Sequence, residues 1–164
     1  MSSFSRTERN AAARTFPAVP IVMMPIVMMP IVDASLVVEW VAPDADLQGP
    51  ASRLADTLIG ERLVAPRLCL LETQNALLSG CRRGRWSGAQ ADLAQRHLLR
   101  LSLAYEDTPV DHQRAWELSR RFDEHPVYDM VYVAMAERLG TRLYTFDAAL
   151  QHRLEHLPWV VLVE

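Results

Sequence analysis

The sequence predicts an α/β fold, a mostly parallel sheet covered on both faces by helices. Two observations predict it. Short uninterrupted apolar segments, among them Ile31-Val32, Leu63-Val64-Ala65 and Trp159 to Val163, alternate with longer stretches of helical pattern. Such continuous apolar runs suit strands buried on both faces. The size agrees: 164 residues, half of them hydrophobic and 23% charged, suit one domain with a core.

The elements follow in order. Ile31-Val32 reads as a buried strand ending at Asp33, and Ser35 is placed to cap a helix to about Val41. Pro50 to Ile59 reads as a second helix, stopped by Gly60. Arg62 to Ala65 is a strand ended by Pro66. Leu68 to Arg83 is a long helix with Leu68, Leu71, Asn75 and Leu78 close to one face, closed by Gly84. Ser87 caps a helix to about Leu101, and Leu103 to Val110 holds a strand. Asp111 is placed to cap a helix to Phe122, and Pro126 starts another that Gly140 ends. Arg142 to Thr145 is a strand, Ala148 to Glu155 a helix, and Trp159 to Val163 a last strand.

Net charge is −3, which excludes a strongly basic nucleic-acid coat but not a local basic patch. All 17 basic residues are Arg, whose planar fork suits phosphate oxygens, although biased coding composition explains the count as well. Cys69 and Cys81 lie about 18 Å apart along one expected helix, too far for a disulfide. They read as reduced thiols, and the expected location is cytoplasmic. An apolar run from Phe16 to Val32 follows Arg6, Arg9 and Arg14, but Pro17, Pro20, Pro25 and Pro30 break it, so neither an export signal nor a membrane span is expected. The run carries three near-copies of one repeat, PIVMM, PIVMM and PIVDAS. Residues 1–25 are therefore expected to be a disordered, dispensable extension, and residues 26–164 the folded domain.

Four acids interrupt apolar sequence. Asp33 and Asp147 follow expected buried strands; Glu72 and Asp129 stand alone in expected helices. Strand carboxyl ends and helix amino-terminal portions are what a doubly wound sheet brings together. Each acid also has a plain structural role: Asp33 and Asp147 as helix caps, Asp129 for the helix dipole, Glu72 facing solvent. Together they favour a metal. Clustered carboxylates repel unless a cation is present, and hard divalent cations such as Mg²⁺ choose carboxylate oxygens. Ser35, Asn75 and Thr145 stand close enough in sequence to orient a carboxylate.

The segments IVDASLVVEW, LETQNAL, VYDMVYVAMAERLG and LYTFDAAL, in this order and at these spacings, resemble a PIN-domain ribonuclease of the VapC toxin type. The resemblance spans Ile31 to Glu164. It implies a three-layer α/β/α sandwich, an acidic tetrad at Asp33, Glu72, Asp129 and Asp147, and polar supports at Ser35, Asn75 and Thr145. It also implies Mg²⁺- or Mn²⁺-dependent endonucleolytic cleavage of RNA by an activated water, a homodimer, and inhibition by a small antitoxin. The N-terminal repeat departs from the family pattern, in which the chain begins almost at the first strand.

Arg82, Arg83, Arg85 and Trp86 follow the Glu72 helix and offer phosphate contacts and a stacking surface for RNA; a solvated helix end is the alternative. Three rival functions stand beside the nuclease. His152 to His156, HRLEH, matches a zinc-peptidase pattern, but Pro158 shortens the helix and no third ligand is evident. A Mg²⁺-dependent phosphatase would need a second Asp where Ser35 stands. A non-catalytic PIN-like module binding RNA or protein would have no need of four acids.

Overall fold

The structure, a computed structural model, describes residues 29–123 and 125–164. In chain order the elements are β1 (Ile31–Val32), α1 (Ala34–Val41), α2 (Pro50–Thr57), β2 (Leu63–Ala65), α3 (Leu68–Arg82), α4 (Gly88–Leu98), β3 (Leu103–Tyr105), α5 (Pro109–Arg121), α6 (Val127–Leu139), β4 (Leu143–Thr145), α7 (Ala148–Arg153) and β5 (Val160–Leu162). The expected extension over residues 1–25 lies outside the described residues.

The five strands form one sheet in the order β3-β2-β1-β4-β5, and every pairing is parallel. The chain builds outward from β1 to β3, then returns to the other side of β1 with β4. The order thus switches between β1 and β4, where open α/β sheets leave a crevice outside the strand carboxyl ends. Ile31 pairs with Leu143 and Val32 with Tyr144, so Asp33 comes level with Thr145. The N–H of Asp33 continues the ladder to Tyr144 O at 3.2 Å.

Helix α6 is the most enclosed. Met130 to Ala136 are all buried, so this helix is apolar nearly all round, as a helix at the centre of a fold must be. Pro126 precedes it and Gly140 closes it at φ 60°, a left-handed conformation that favours glycine.

Local chemistry moves several expected features. Asp33, not Ser35, caps α1. Strand β3 stops at Tyr105 because Thr108 caps α5, accepting from Asp111 N while Asp111 Oδ2 accepts from Thr108 N at 2.8 Å. Asp111 is therefore the third residue of that helix, buried and paired with Arg138 at 2.6 Å, rather than its cap. On α3 the stripe containing Leu71 and Leu78 is not the buried one. Those two are 67% and 62% exposed, and Cys69, Thr73, Leu77 and Gly80 face the core.

Candidate active site

The carboxyl ends of β1 and β4 each deliver an acid. Asp33 leaves β1 with extended backbone and caps α1 by accepting from Leu36 N at 2.9 Å. It is only 6% exposed. Burying a carboxylate requires donors, and it has them: Ser35 Oγ donates to Oδ1 at 2.6 Å and Thr145 Oγ1 to Oδ2. Ser35 in turn accepts from Phe146 N at 2.8 Å. Asp147 caps α7, its Oδ1 accepting from Ala149 N and Leu150 N at 2.9 and 3.0 Å. Both acids hold the structural capping role and stand in the site.

The other two acids come from helices. Glu72, on the second turn of α3, accepts from the buried Tyr132 hydroxyl at 2.5 Å. Asp129, in the first turn of α6, has His125 Nε2 2.9 Å from its Oδ2, an ion pair when the imidazole is protonated. Asp33, Ala34, Ser35, Glu72, Asp129, Tyr132, Asp147 and Leu150 line one cleft of about 190 Å³. Larger hollows exist, such as one of about 460 Å³ beside Thr141 and Trp159 at the amino ends of β4 and β5. That hollow is at the opposite end of the sheet from the acids, and the four acids lining one cleft, not volume, mark the site.

The electrostatics reflect confinement. Burial pushes the Asp33 carboxyl above its ordinary range against its three hydrogen bonds, and Asp147 adds repulsion. Burial also raises Glu72, opposed by the Tyr132 bond and reinforced by Asp129 and Asp33. Asp129 is raised by burial first; His125 opposes, while Asp147 and Asp33 repel. Cys69, on the same side of α3, is pushed up to about 12 by burial, so its thiol stays protonated and serves as packing. Among the described residues no group of three or more His, Cys, Asp or Glu is arranged to hold a metal as it stands. The donor set nonetheless suits a hard divalent cation: oxygen ligands only, in one cleft, with Asp33, Glu72 and Asp129 held above their ordinary carboxyl range.

The structure gathers Asp33, Glu72, Asp129, Asp147, Ser35 and Thr145. It does not gather the rest. Asn75 is exposed, outside the cleft lining. Trp86 is 7% exposed, its indole N–H bonded to Leu77 O at 2.9 Å and its ring packed against Gly80, so no face is open to a base. Arg82 bonds to Ser79, Arg85 pairs with Asp44 at 2.6 Å, and Arg83 caps α3 through its backbone. His152 sits 3.6 Å from Glu155 and the His156 ring packs at a tilt against Phe122, so HRLEH forms no metal site among the described residues. Tyr132 and His125 were not singled out from sequence. A tyrosine amid Val and Met reads as core, and only its position three residues beyond Asp129, on the same helix face, could have flagged it.

The PIN domain family model matches residues 31–156. No curated protein sequence matches the chain. Among solved structures, Mycobacterium tuberculosis VapC20, described as a sarcin–ricin loop cleaving toxin, aligns over 82% of this chain and 99% of its own, with a TM-score of 0.60 and 22% identity. PAE2754 from Pyrobaculum aerophilum aligns over 84% and 90%, with a TM-score of 0.61 and 24% identity. These likenesses bear out the expected fold, and the family match spans all four acids. The chain belongs to the PIN domain family.

Proposed function

We propose that the protein is a metal-dependent endoribonuclease, the toxin of a toxin–antitoxin pair. The observation that carries this reading is the meeting of four isolated acids, from four separate segments, in one cleft at the switch point of a parallel sheet. The fold shared with VapC20, a sarcin–ricin loop cleaving toxin, supports it.

Asp33, Glu72, Asp129 and Asp147 would hold Mg²⁺ or Mn²⁺. A bound divalent cation supplies charge that polarises a phosphate and acidifies a water. The chain's own part is orientation. Ser35 and Thr145 fix both oxygens of Asp33, the α7 amino terminus fixes one oxygen of Asp147, and Tyr132 fixes one of Glu72. A cleft carboxylate accepts the proton of the water that attacks the phosphorus; the P–O3′ bond breaks, the departing 3′ oxygen takes a proton from solvent to become a 3′ hydroxyl, and the other product carries a 5′-phosphate. RNA is the substrate, a small antitoxin the inhibitor, and a cytoplasmic homodimer the working form. Among the described residues no helix is long and apolar enough to cross a membrane.

The acids line the cleft without converging into a ligand set. That observation favours the second reading, a PIN-like module that binds RNA or protein without cutting. Incubation with total RNA and Mg²⁺ or Mn²⁺, followed by mapping of new 5′ ends, separates the two. The nuclease gives new ends that EDTA abolishes. A chain that gives none with either metal is the binding module.

A further inference from the structure

Glu72 is held differently from its neighbours. Asp33 takes three hydrogen bonds and Asp147 two backbone donors, each from residues close to its own helix start or from the adjoining strand. Glu72 takes one, from Tyr132, 60 residues away on a different helix. Glutamate has one more torsion than aspartate, and a half-buried Glu with no anchor samples several rotamers. Its one described anchor is rigid. The Tyr132 ring is 2% exposed and packed in the core, so its hydroxyl has a fixed position. A buried phenol needs an acceptor, and here that acceptor is Glu72 Oε2, which leaves Oε1 without a hydrogen bond among the described residues. Tyr132 also stands one turn beyond Asp129 on α6, and both line the cleft. One helix therefore contributes an acid directly and aims a second acid belonging to α3.

We propose that Tyr132 is a positioning residue: its hydroxyl presents Glu72 to the divalent cation in the cleft and thereby sets the affinity for that cation. The proposal rests on the metal-dependent reading of the site. Partners that orient a metal ligand through a hydrogen bond typically change metal affinity by about ten- to a hundredfold. Tyr132 acts through Glu72 alone, so its effect vanishes where Glu72 no longer binds metal.

The test is thermal melting of the full chain, without RNA, across a titration of MgCl₂ and separately of MnCl₂. The proteins are wild type, Tyr132→Phe, Glu72→Gln and the double variant. Phe keeps the buried ring and removes only the hydroxyl. The expected result is that Tyr132→Phe needs about tenfold more metal for half of the melting-temperature gain. The double variant then matches Glu72→Gln, the non-additivity of residues acting as one unit. RNA cleavage by Tyr132→Phe recovers at raised metal. A lower melting temperature with an unchanged metal midpoint makes Tyr132 a packing residue and overturns the proposal. So does a double variant weaker than Glu72→Gln by the full tenfold. A wild type whose melting ignores both metals overturns this proposal together with the metal-dependent reading, whereas a responsive wild type with an unshifted Tyr132→Phe overturns this proposal alone.

Discussion

Thr145 Oγ1 donates to Asp33 Oδ2 across 112 residues of chain and itself accepts the N–H of Asp147 at 2.9 Å. Thr145 is fully buried at the end of β4, beside β1, so one side chain ties the acid after β1 to the acid after β4. The switch point of the sheet and the geometry of the cleft are, at this residue, the same thing.

Thr145→Val keeps the shape and removes the hydroxyl. Asp33 loses one of three donors while remaining buried, and the Asp147 N–H loses its acceptor. The expected cost is about 1–3 kcal/mol, read from urea melts. Cleavage falls about tenfold through misplacement of the two acids. Wild-type stability together with wild-type cleavage would show that the bond does neither task.

The pH dependence of metal-free stability has two limbs. Asp33, Glu72 and Asp129 have carboxyls raised above 3.8, 4.5 and 3.8, so the folded chain holds their protons more tightly than the unfolded chain does. Stability then falls as pH rises from those values through the folded ones. Other acids, Asp111 and Glu137 among them, run the opposite way. Burial works to raise Asp111, but its bonds to Arg138 and Thr108 outweigh burial and hold it low, and Arg114 holds Glu137 low. Their stabilisation is present above the unfolded pKa and is lost as pH falls through the folded one. Urea melts in EDTA from about pH 4 to about pH 8 should show a mildly acidic maximum, with a decline above it that Asp129→Asn makes shallower. An identical decline in the variant would mean that Asp129 does not repel its neighbours.

Gly80→Ala should destabilise by about 1–3 kcal/mol or more, the cost of overpacking. A Cβ there would meet Trp86 Cζ2 at 1.9 Å, and the buried indole has no room to retreat without losing its bond to Leu77 O. Thermal melting checks this. A neutral substitution would mean that Trp86 is free to swing outward, which would revive its role as a base-stacking surface.

The sequence showed the order of strands and helices because each strand is a short unbroken apolar run and most helices carry punctuation. Pro126 and Gly140 bound α6, and Ser87 caps α4 with Gln90 completing the box. Six of the expected site and support residues come together because strand-end acids in a parallel sheet have few places to go. Three features were hidden by tertiary context. On α3 small and polar residues took the inner face: Thr73 satisfies its hydroxyl on Cys69 O, and Gly80 admits Trp86. Trp86 beside three arginines looked like a surface, yet its indole faces inward with only the Arg85 guanidinium 4.9 Å over the ring. Arg138, in the last turn of α6, neutralises the buried Asp111 from another helix, a pairing that no local spacing signals. Tyr132 stayed unread because its partner Glu72 lies on another helix, and His125 because it lies before the start of α6.

Whether the four acids form one catalytic site is decided by Asp129→Asn. Asn keeps the shape, removes one ligand charge and relieves repulsion from Asp33 and Asp147. Wild type and variant are compared for cleavage of total RNA with Mg²⁺ and Mn²⁺, beside melting curves in EDTA and in metal. A single four-acid site requires that the variant fold with metal-free stability unchanged or raised, gain less stability from metal by linkage to binding, and yield no new 5′ ends. A variant that loses a few tenths of a kcal/mol, as a helix-dipole residue would, and cuts RNA as wild type does would contradict it.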